Sequence, residues 1–327
     1  MLLDAARASV ATSLGARPDE VYFTASGPVS IAAAVSGMVE GRSRISRRVV
    51  ASAVESMALM TAAQSVASDV NLVSVDRFGR IDLEAWEAAV GVETAVACLQ
   101  AANAEVGTRQ PIARAARIAH DRGIPLLVDA TQVVGRDDIP PDWDLLTASA
   151  RDWGGPAGVG VLAVRASARW IPEQTPDRGW VGGFPDIAAA AAAATALEYL
   201  RPVGAEESLR LRALVDELRA QLPSVVSGLE LAGDPLDRLP HILTFTCADV
   251  TGEILVTELD RRGVAVASGS ACTADNRMPS HVLAAMGISS DASVRVSLPF
   301  GCTPQTVRML IDELPGAVAT VRARFDS

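Results

Sequence analysis

The chain has 327 residues, of which 49% are apolar and only 4% aromatic, so its core must be built largely from Ala, Val, Leu and Ile. This length exceeds a minimal domain and suits one large α/β domain followed by a smaller one. A formal net charge of -10 disfavours a broad nucleic-acid surface, which needs clustered positive charge.

Short β-branched runs alternate with helical segments along the first part of the chain. This alternation predicts a mainly parallel sheet sandwiched by helices. Ligands of such folds bind beyond the carboxyl ends of the strands, so the residues that follow each strand are candidates for function. The runs read, in order, "EVYFT", "GPVSIAAAVSGMV", "RRVVAS", "ESMALMTAAQSVA", "VNLVSV", "LEAWEAAV", "TAVACLQ", "PIARAARIAHDRG" and "IPLLVDA".

The pattern changes after an alanine-rich segment that begins at Ile187 and is predicted to be a helix packed closely against a neighbour. A separate charged helix, "AEESLRLRALVDELRAQL", is predicted next. We therefore predict a large α/β domain over residues 1–202 and a smaller α+β domain over 203–327. Strands are expected in the second domain at "HILTFTC", "VAVAS" and "SVRVSL", with helices starting near Thr251, Pro279 and Pro304.

The N-terminal segment lacks a basic start and a long apolar run, so neither a secretion signal nor a membrane anchor is expected. The four cysteines contain no CxxC pair, which argues against a disulfide framework and a zinc site. These features predict a cytoplasmic protein without a membrane or nucleic-acid partner and without a metal.

The sequence contains no lysine, so all 29 residues counted as Lys+Arg are arginines. A mechanism that needs a side-chain amine is therefore excluded for these residues.

Four stretches then carry a resemblance to a known family. They are "VDATQ" at 128–132, "SARDWGGPAGVG" at 149–160, the segment "ASGSACTADNRMPSHVLAAMG" from Ala267, and "SVRVSL" at 293–298. In this order they resemble the cysteine desulfurases of the class V aminotransferase family, fold type I enzymes that use pyridoxal phosphate (PLP). The similarity extends over nearly the whole chain.

The resemblance implies roles for individual residues. Asp129 matches the aspartate that pairs with the pyridine nitrogen of PLP, although taken alone it also fits a residue capping a buried strand. Gln132 matches the glutamine that contacts the phenolic oxygen of the ring. Arg295 matches the arginine that binds the substrate carboxylate, although an arginine between Val294 and Val296 also fits the solvated face of an edge strand. Vestigial cofactor-binding positions fall at Gly27, Asn103, Ser149 and Arg151.

Cys272 matches the cysteine that becomes a persulfide, and the small residues around it favour the exposed loop that a sulfur carrier needs. Cys98 and Cys247 lie within apolar strands and are predicted to be packing residues. Cys302 follows the strand that carries Arg295 and could approach Cys272. Whether the two cysteines lie close enough to form a disulfide depends on a distance that the sequence does not give.

The family pattern breaks at the residues that hold the cofactor. Asp152 falls where the family has its Schiff-base lysine, and Arg151 replaces the preceding histidine. Ser56 occupies the position of the family's histidine that stacks on the ring, and Pro28 replaces a threonine of the phosphate-binding turn. We therefore expect no covalent PLP and weak or absent binding of the cofactor.

Three interpretations follow. The first is a pseudoenzyme, a cysteine desulfurase homologue without lysine-dependent activity. It forms a homodimer and acts in sulfur transfer either as a binding or regulatory partner or as an acceptor of persulfide sulfur on Cys272. The second is an enzyme that holds PLP or pyridoxamine phosphate (PMP) noncovalently. The third is a structural subunit that pairs with an active desulfurase.

Overall fold

The computed structural model describes residues 1–268, 279–289 and 291–324. The chain divides into two compact units. The first comprises Met1–Ser74, Ile81–Ala102 and Gln110–Ala205, and the second comprises Val75–Arg80, Asn103–Arg109 and Glu206–Ser327. The domains 1–202 and 203–327 remain a prediction, since the second unit also takes in two short segments from the first half of the chain.

A seven-stranded sheet forms the centre of the first unit. Its strands lie in the order β1-β7-β6-β5-β4-β2-β3, and β7 runs antiparallel to both of its neighbours while the pairs from β6 to β3 are parallel. The mainly parallel α/β sheet expected from the sequence is therefore present. The strands are β1 Val21–Thr24, β2 Arg48–Ser52, β3 Asp69–Val73, β4 Val96–Gln100, β5 Leu126–Asp129, β6 Leu145–Ser149 and β7 Gly160–Val164.

Helices pack against this sheet because its central strands are largely apolar and are buried on both faces. The second helix of the chain packs on β6 and β7, and small residues such as Ala34 make that close contact. The helices of the first half are α1 Leu2–Leu14, α2 Gly27–Gly41, α3 Met57–Val66, α4 Leu83–Ala89 and α5 Ile112–His120.

The sixth helix differs from the expectation. The alanine-rich and charged segments, predicted to be separate helices, both belong to α6, Ile187–Val225. Pro202 removes one backbone donor and Gly204 is a weak helix former, but long runs of strong helix formers on both sides propagate the helix through them. The division between the two units falls within α6, between Ala205 and Glu206.

The second unit contains a four-stranded antiparallel sheet in the order β10-β11-β9-β8. The strand expected over 264–268 is found only at Ala267–Ser268, and β8 was not expected because its four residues carry little periodic signal. An apolar core of Val, Leu and Ile side chains holds the helices of this unit to the sheet. The elements are β8 Leu229–Ala232, β9 Ile242–Cys247, α7 Gly252–Arg261, β10 Ala267–Ser268, α8 His281–Ala285, β11 Ser293–Ser297 and α9 Pro304–Arg322.

Candidate cofactor site

Asp129 is the last residue of β5, and only one of its two carboxylate oxygens accepts hydrogen bonds from the described residues. Its Oδ1 accepts hydrogen bonds from Thr131 N at 3.1 Å, Thr131 Oγ1 at 2.6 Å and Thr147 Oγ1 at 3.3 Å. Thr147 lies opposite Asp129 in the register of β5 with β6. Among the described residues none donates to Oδ2, so the carboxylate is oriented by three donors while one oxygen stays available to a ligand.

Burial is the main influence on the protonation of Asp129, which is only 8% exposed. It raises the pKa of this carboxyl, the hydrogen bonds from Thr131 and Thr147 lower it, and the nearby carboxylate of Asp152 raises it again. A cationic group placed at Oδ2 would offset the burial and favour the ionised form.

Asp152 lies in a short 3-10 turn, Ala150–Trp153, that follows β6. Gln132 Nε2 donates to its Oδ1 at 3.2 Å, and its Oδ2 is buried without a hydrogen bond from any residue that the structure describes. Arg136 Nε donates to the backbone oxygen of Asp152 at 2.8 Å, which fixes the turn. The side chain of Asp152 is 18% exposed, so it is directed inward.

The side chain of Arg151, unlike that of Asp152, extends into solvent. Its side chain is 73% exposed, and its Nε lies 3.8 Å from Asp152 Oδ2. A guanidinium in solvent is a weak replacement for a buried phosphate ligand, because water screens its charge.

Trp153 anchors the turn that carries Asp152. It is 1% exposed, and its Nε1 donates to Ala193 O in α6 at 3.0 Å. A Cβ atom at Gly135 would lie 2.8 Å from the Trp153 Cβ, so the close approach of this side chain leaves no room for a larger residue there. Gly154 ends the turn at φ +86°, a conformation that favours glycine.

Gly27 and Ser149 meet where α2 begins. Ser149 is buried, and a Cβ atom on Gly27 would lie 2.9 Å from the Ser149 Cβ. Pro28 has no N–H, and the Val29 N–H donates to Ser26 Oγ at 3.4 Å. Two of the first three positions of α2 therefore have no N–H to offer an anion.

Glu55 is a buried carboxyl that the sequence-based analysis did not identify as part of the site. Its Oε1 accepts from Gln100 N at 2.8 Å, across the end of β4. Burial raises its pKa to about 8, the hydrogen bond from Gln100 lowers it, and the charge of Asp129 raises it. A glutamate inside the apolar segment "SAVESMAL" is the signal that could have marked it. The next residue, Ser56, caps α3 by accepting from Leu59 N at 3.3 Å.

Replacing Glu55 with glutamine is expected to make the protein more stable at alkaline pH, where the parent loses free energy of unfolding by ionising Glu55. The folded state binds the Glu55 proton more tightly than the unfolded chain, because its pKa is raised from 4.5 to about 8. The contribution of Glu55 to stability is therefore fully present below its unfolded-state pKa and is lost as pH rises toward its folded-state pKa. The loss is up to about 1.4 kcal/mol per pH unit. Glu55→Gln should be more stable than the parent at about pH 9 and differ far less at about pH 5.

Urea unfolding at both pH values measures this effect. Glu93→Gln, which changes an exposed glutamate, is the matched control and should leave the pH dependence unaltered. A Glu55→Gln protein with the same pH dependence as the parent would contradict the assignment of a raised pKa to Glu55.

Asn103 and Arg295 lie in the second unit. Asn103 Oδ1 accepts from Glu105 N at 2.8 Å and Val106 N at 2.9 Å, so the side chain stabilises its own turn. Arg295 Nη1 donates to Ala104 O at 3.2 Å. Because β11 pairs with β10 on one side and β9 on the other, Arg295 does not lie on an edge strand, and that alternative is wrong.

The sequence-predicted residues thus fall in separate places. The structure brings Asp129, Gln132 and Asp152 together and places Gly27 against Ser149. Cys272 lies outside the described residues, so the structure does not test whether Cys302 approaches it. Cys98 and Cys247 are buried in β4 and β9, as predicted for packing residues, and Cys302 is also buried.

Two further findings apply to the described residues alone. No helix in this part of the chain combines the length and apolarity that crossing a membrane requires. Within the same ranges, no group of three or more His, Cys, Asp or Glu side chains is placed to hold a metal ion.

Comparison with known proteins gives one consistent picture. Residues 1–310 match the family model described as aminotransferase class-V. The chain is 33% identical to the cysteine desulfurase NifS of Azotobacter vinelandii, over 98% of this chain and 83% of that protein. It is 34% identical to an IscS-like cysteine desulfurase of Mycobacterium tuberculosis, over 98% of this chain and 86% of that protein. A solved NifS-like protein superposes with a TM-score of 0.88 at 25% identity, covering 98% of this chain and 88% of the other.

Proposed function

The chain belongs to the aminotransferase class-V family and is similar to its cysteine desulfurases, and from this premise we propose that it is a homologue without lysine-dependent desulfurase activity. One observation carries the proposal. The 327 residues contain no lysine, and Asp152 stands where the family's Schiff-base lysine is expected. A carboxylate has no nitrogen with which to form an imine, so a covalent link to an aldehyde cofactor is not available at this position.

The residues around Asp152 fit PLP only in part. When bound in a family member, PLP supplies an electron sink that stabilises negative charge on the substrate. The free Oδ2 of Asp129 fits a protonated ring nitrogen. The inward carboxylate of Asp152 does not fit the aldehyde carbon, and the start of α2 offers few donors to a phosphate. We therefore derive no catalytic step through PLP.

The function that we propose is acceptance of sulfur by Cys272. The Cys272 thiolate attacks the outer sulfur of a donor persulfide, the S–S bond of the donor breaks, and the donor leaves as a thiolate. The sulfur carries its oxidation state with it, so no further oxidant is needed. Support comes from the match of the "SGSACT" segment and from the burial of Cys98, Cys247 and Cys302, which leaves them poorly placed to meet a donor protein.

We further propose that the protein acts in the cytoplasm as a homodimer, the commonest symmetric assembly, and receives sulfur from a sulfur-transfer protein or an active desulfurase. The dimers expected for this family support the proposed assembly.

Replacing Cys272 with serine tests sulfur acceptance directly. The purified protein is incubated with a low-molecular-weight persulfide, desalted, and its intact mass measured. The parent should gain the mass of one sulfur atom, and Cys272→Ser should not, because serine oxygen does not accept sulfane sulfur. Cys302→Ser, which alters a buried cysteine, is the control and should be labelled like the parent. Equal labelling of the parent and Cys272→Ser would refute the proposal.

A further inference from the structure

Two turns at one end of the sheet of the first unit are joined to each other. They precede the parallel neighbours β2 and β4, so they lie at the opposite edge of the sheet from Asp129, the last residue of β5. Ser46 Oγ in the first turn donates to Glu93 O in the second, and Ala95 N donates to Arg48 O at 2.8 Å. These bonds hold the two turns side by side, away from the candidate cofactor site.

Each turn carries an exposed aliphatic side chain next to this connection. Ile45 is 61% exposed and precedes Ser46, while Val92 is 75% exposed and precedes Glu93. Single exposed aliphatic residues are common on protein surfaces, so it is the pairing of the two on joined turns that indicates a contact point. Both side chains would gain free energy if a partner removed them from water.

The first turn is also rich in arginine, with four arginines in the seven residues 42–48. Two of them are paired with carboxylates of the first unit. Arg47 Nη1 lies 3.3 Å from Glu40 Oε2, and Arg48 Nε lies 3.2 Å from Asp69 Oδ2. These two arginines therefore stabilise the local structure and add little charge to the surface.

The other two arginines leave positive charge uncompensated. Arg42 is half-buried at the end of α2, and its Nε forms no hydrogen bond with the described residues. Burial lowers the pKa of Arg42, and no nearby carboxylate offsets this effect. Arg44 is exposed and forms no ion pair within the part of the chain that the structure describes. The turn thus presents two positive charges on a chain whose formal net charge is -10.

Helix capping accounts for only part of this arrangement. The last carbonyls of α2 stabilise a cation, which explains an arginine at position 42. Capping does not explain the exposed Arg44 beyond the helix, or the exposed Ile45 and Val92. Apolar side chains next to uncompensated charge are typical of a surface that contacts another protein of opposite charge.

We propose that the turns over residues 41–46 and 91–94 form a docking surface, the 45/92 surface, for an acidic protein. Apolar side chains of that protein cover Ile45 and Val92, and its carboxylates pair with the two uncompensated arginines. The proposal does not depend on sulfur acceptance by Cys272.

Other occupants fit this surface less well. A symmetric contact between two copies of the chain would bring the arginines of each copy against those of the other. A contact with a different face of a second copy would leave one free surface on every chain and propagate into a filament. Nucleic acid and anionic lipid have a higher charge density than an acidic protein, so the net charge of -10 opposes them more strongly.

Binding of synthetic acidic polymers to the full chain tests the proposal. The probe is a fluorescently labelled random copolymer of glutamate and tyrosine, and labelled polyglutamate of the same length is its purely acidic counterpart. Both are titrated with the protein at about 0.1 M salt, where surface charges still act over about 10 Å. We expect the copolymer to bind at least about fivefold more tightly than polyglutamate, because its tyrosines cover Ile45 and Val92.

Two double variants separate the apolar and the charged contributions. Ile45→Ser with Val92→Ser should weaken copolymer binding about fivefold or more and change polyglutamate binding by less than about twofold. Arg42→Gln with Arg44→Gln should weaken binding of both polymers about fivefold or more.

Matched variants outside the 45/92 surface are the controls. Leu209→Ser with Leu236→Ser removes two exposed leucines, and Arg114→Gln with Arg117→Gln removes two exposed arginines of α5. Both control proteins should bind the two polymers as the parent does.

Several outcomes would overturn the inference. They are no binding of the copolymer, equal binding of the two polymers by the parent, and losses in the control variants as large as those in the variants of the 45/92 surface. Tighter binding of phosphatidylglycerol vesicles or duplex DNA than of the copolymer would assign the surface to lipid or nucleic acid instead. A smaller assembly in sedimentation of either variant of the 45/92 surface would assign it to a second copy. The comparison of polymers in the parent needs no variant to fold, and none of these outcomes alters labelling of Cys272.

Discussion

Placing a lysine at position 152 is expected to turn a protein that does not trap PLP into one that does. The Asp152→Lys side chain would start from a turn fixed by Arg136 and lie near the free oxygen of Asp129, which suits a protonated ring nitrogen. It would supply the amine that the 327 residues otherwise lack in any side chain. Reduction with borohydride after incubation with PLP should leave a stable adduct, and peptide mapping should locate it at residue 152.

The neighbouring position provides a matched control. Arg151→Lys adds the same amine one residue earlier, on a side chain that is 73% exposed, and it should trap PLP no better than an amine in solution. Peptide mapping also separates either adduct from one at the α-amino group. Equal trapping at 151 and 152 would mean that residue 152 does not occupy the position of the family's lysine.

Loss of the indole at Trp153 is expected to have the largest effect on stability. Trp153→Ala should lower the free energy of unfolding by about 3–5 kcal/mol, because it removes a fully buried ring and leaves a cavity. The turn that carries Asp152 would lose the bond from Trp153 Nε1 to Ala193 O as well. Chemical denaturation followed by far-UV circular dichroism measures the change.

Two further variants divide this effect into its parts. Trp153→Phe keeps most of the apolar volume and loses the hydrogen bond, so its cost should be smaller, about 1–3 kcal/mol. Tyr199→Ala removes an aromatic ring that is 73% exposed and should change stability by no more than about 0.5 kcal/mol. A Trp153→Ala protein as stable as the Tyr199→Ala control would show that the indole does not anchor the turn.

Local patterns predicted most elements of the first unit correctly. The strands from "EVYFT" to "IPLLVDA" and the helices between them form where the alternation of β-branched and helical segments placed them. The same reasoning failed over Ile187–Val225, where two helices were expected, because long helical runs on both sides of Pro202 and Gly204 propagate one helix through these residues. It also omitted β7 and β8, whose short sequences are defined by the strands they pair with.

The candidate site shows the same division. The sequence alone determined the family resemblance, the absence of lysine and the identity of the residue at 152, because these depend only on which residues occur and in what order. Only the tertiary structure decided that Gln132 donates to Asp152, that Arg151 faces solvent and that Glu55 is buried beside Asp129. These properties depend on which strands become neighbours and how deeply each side chain is buried, and residues 20 or more positions apart in sequence meet only when the sheet forms.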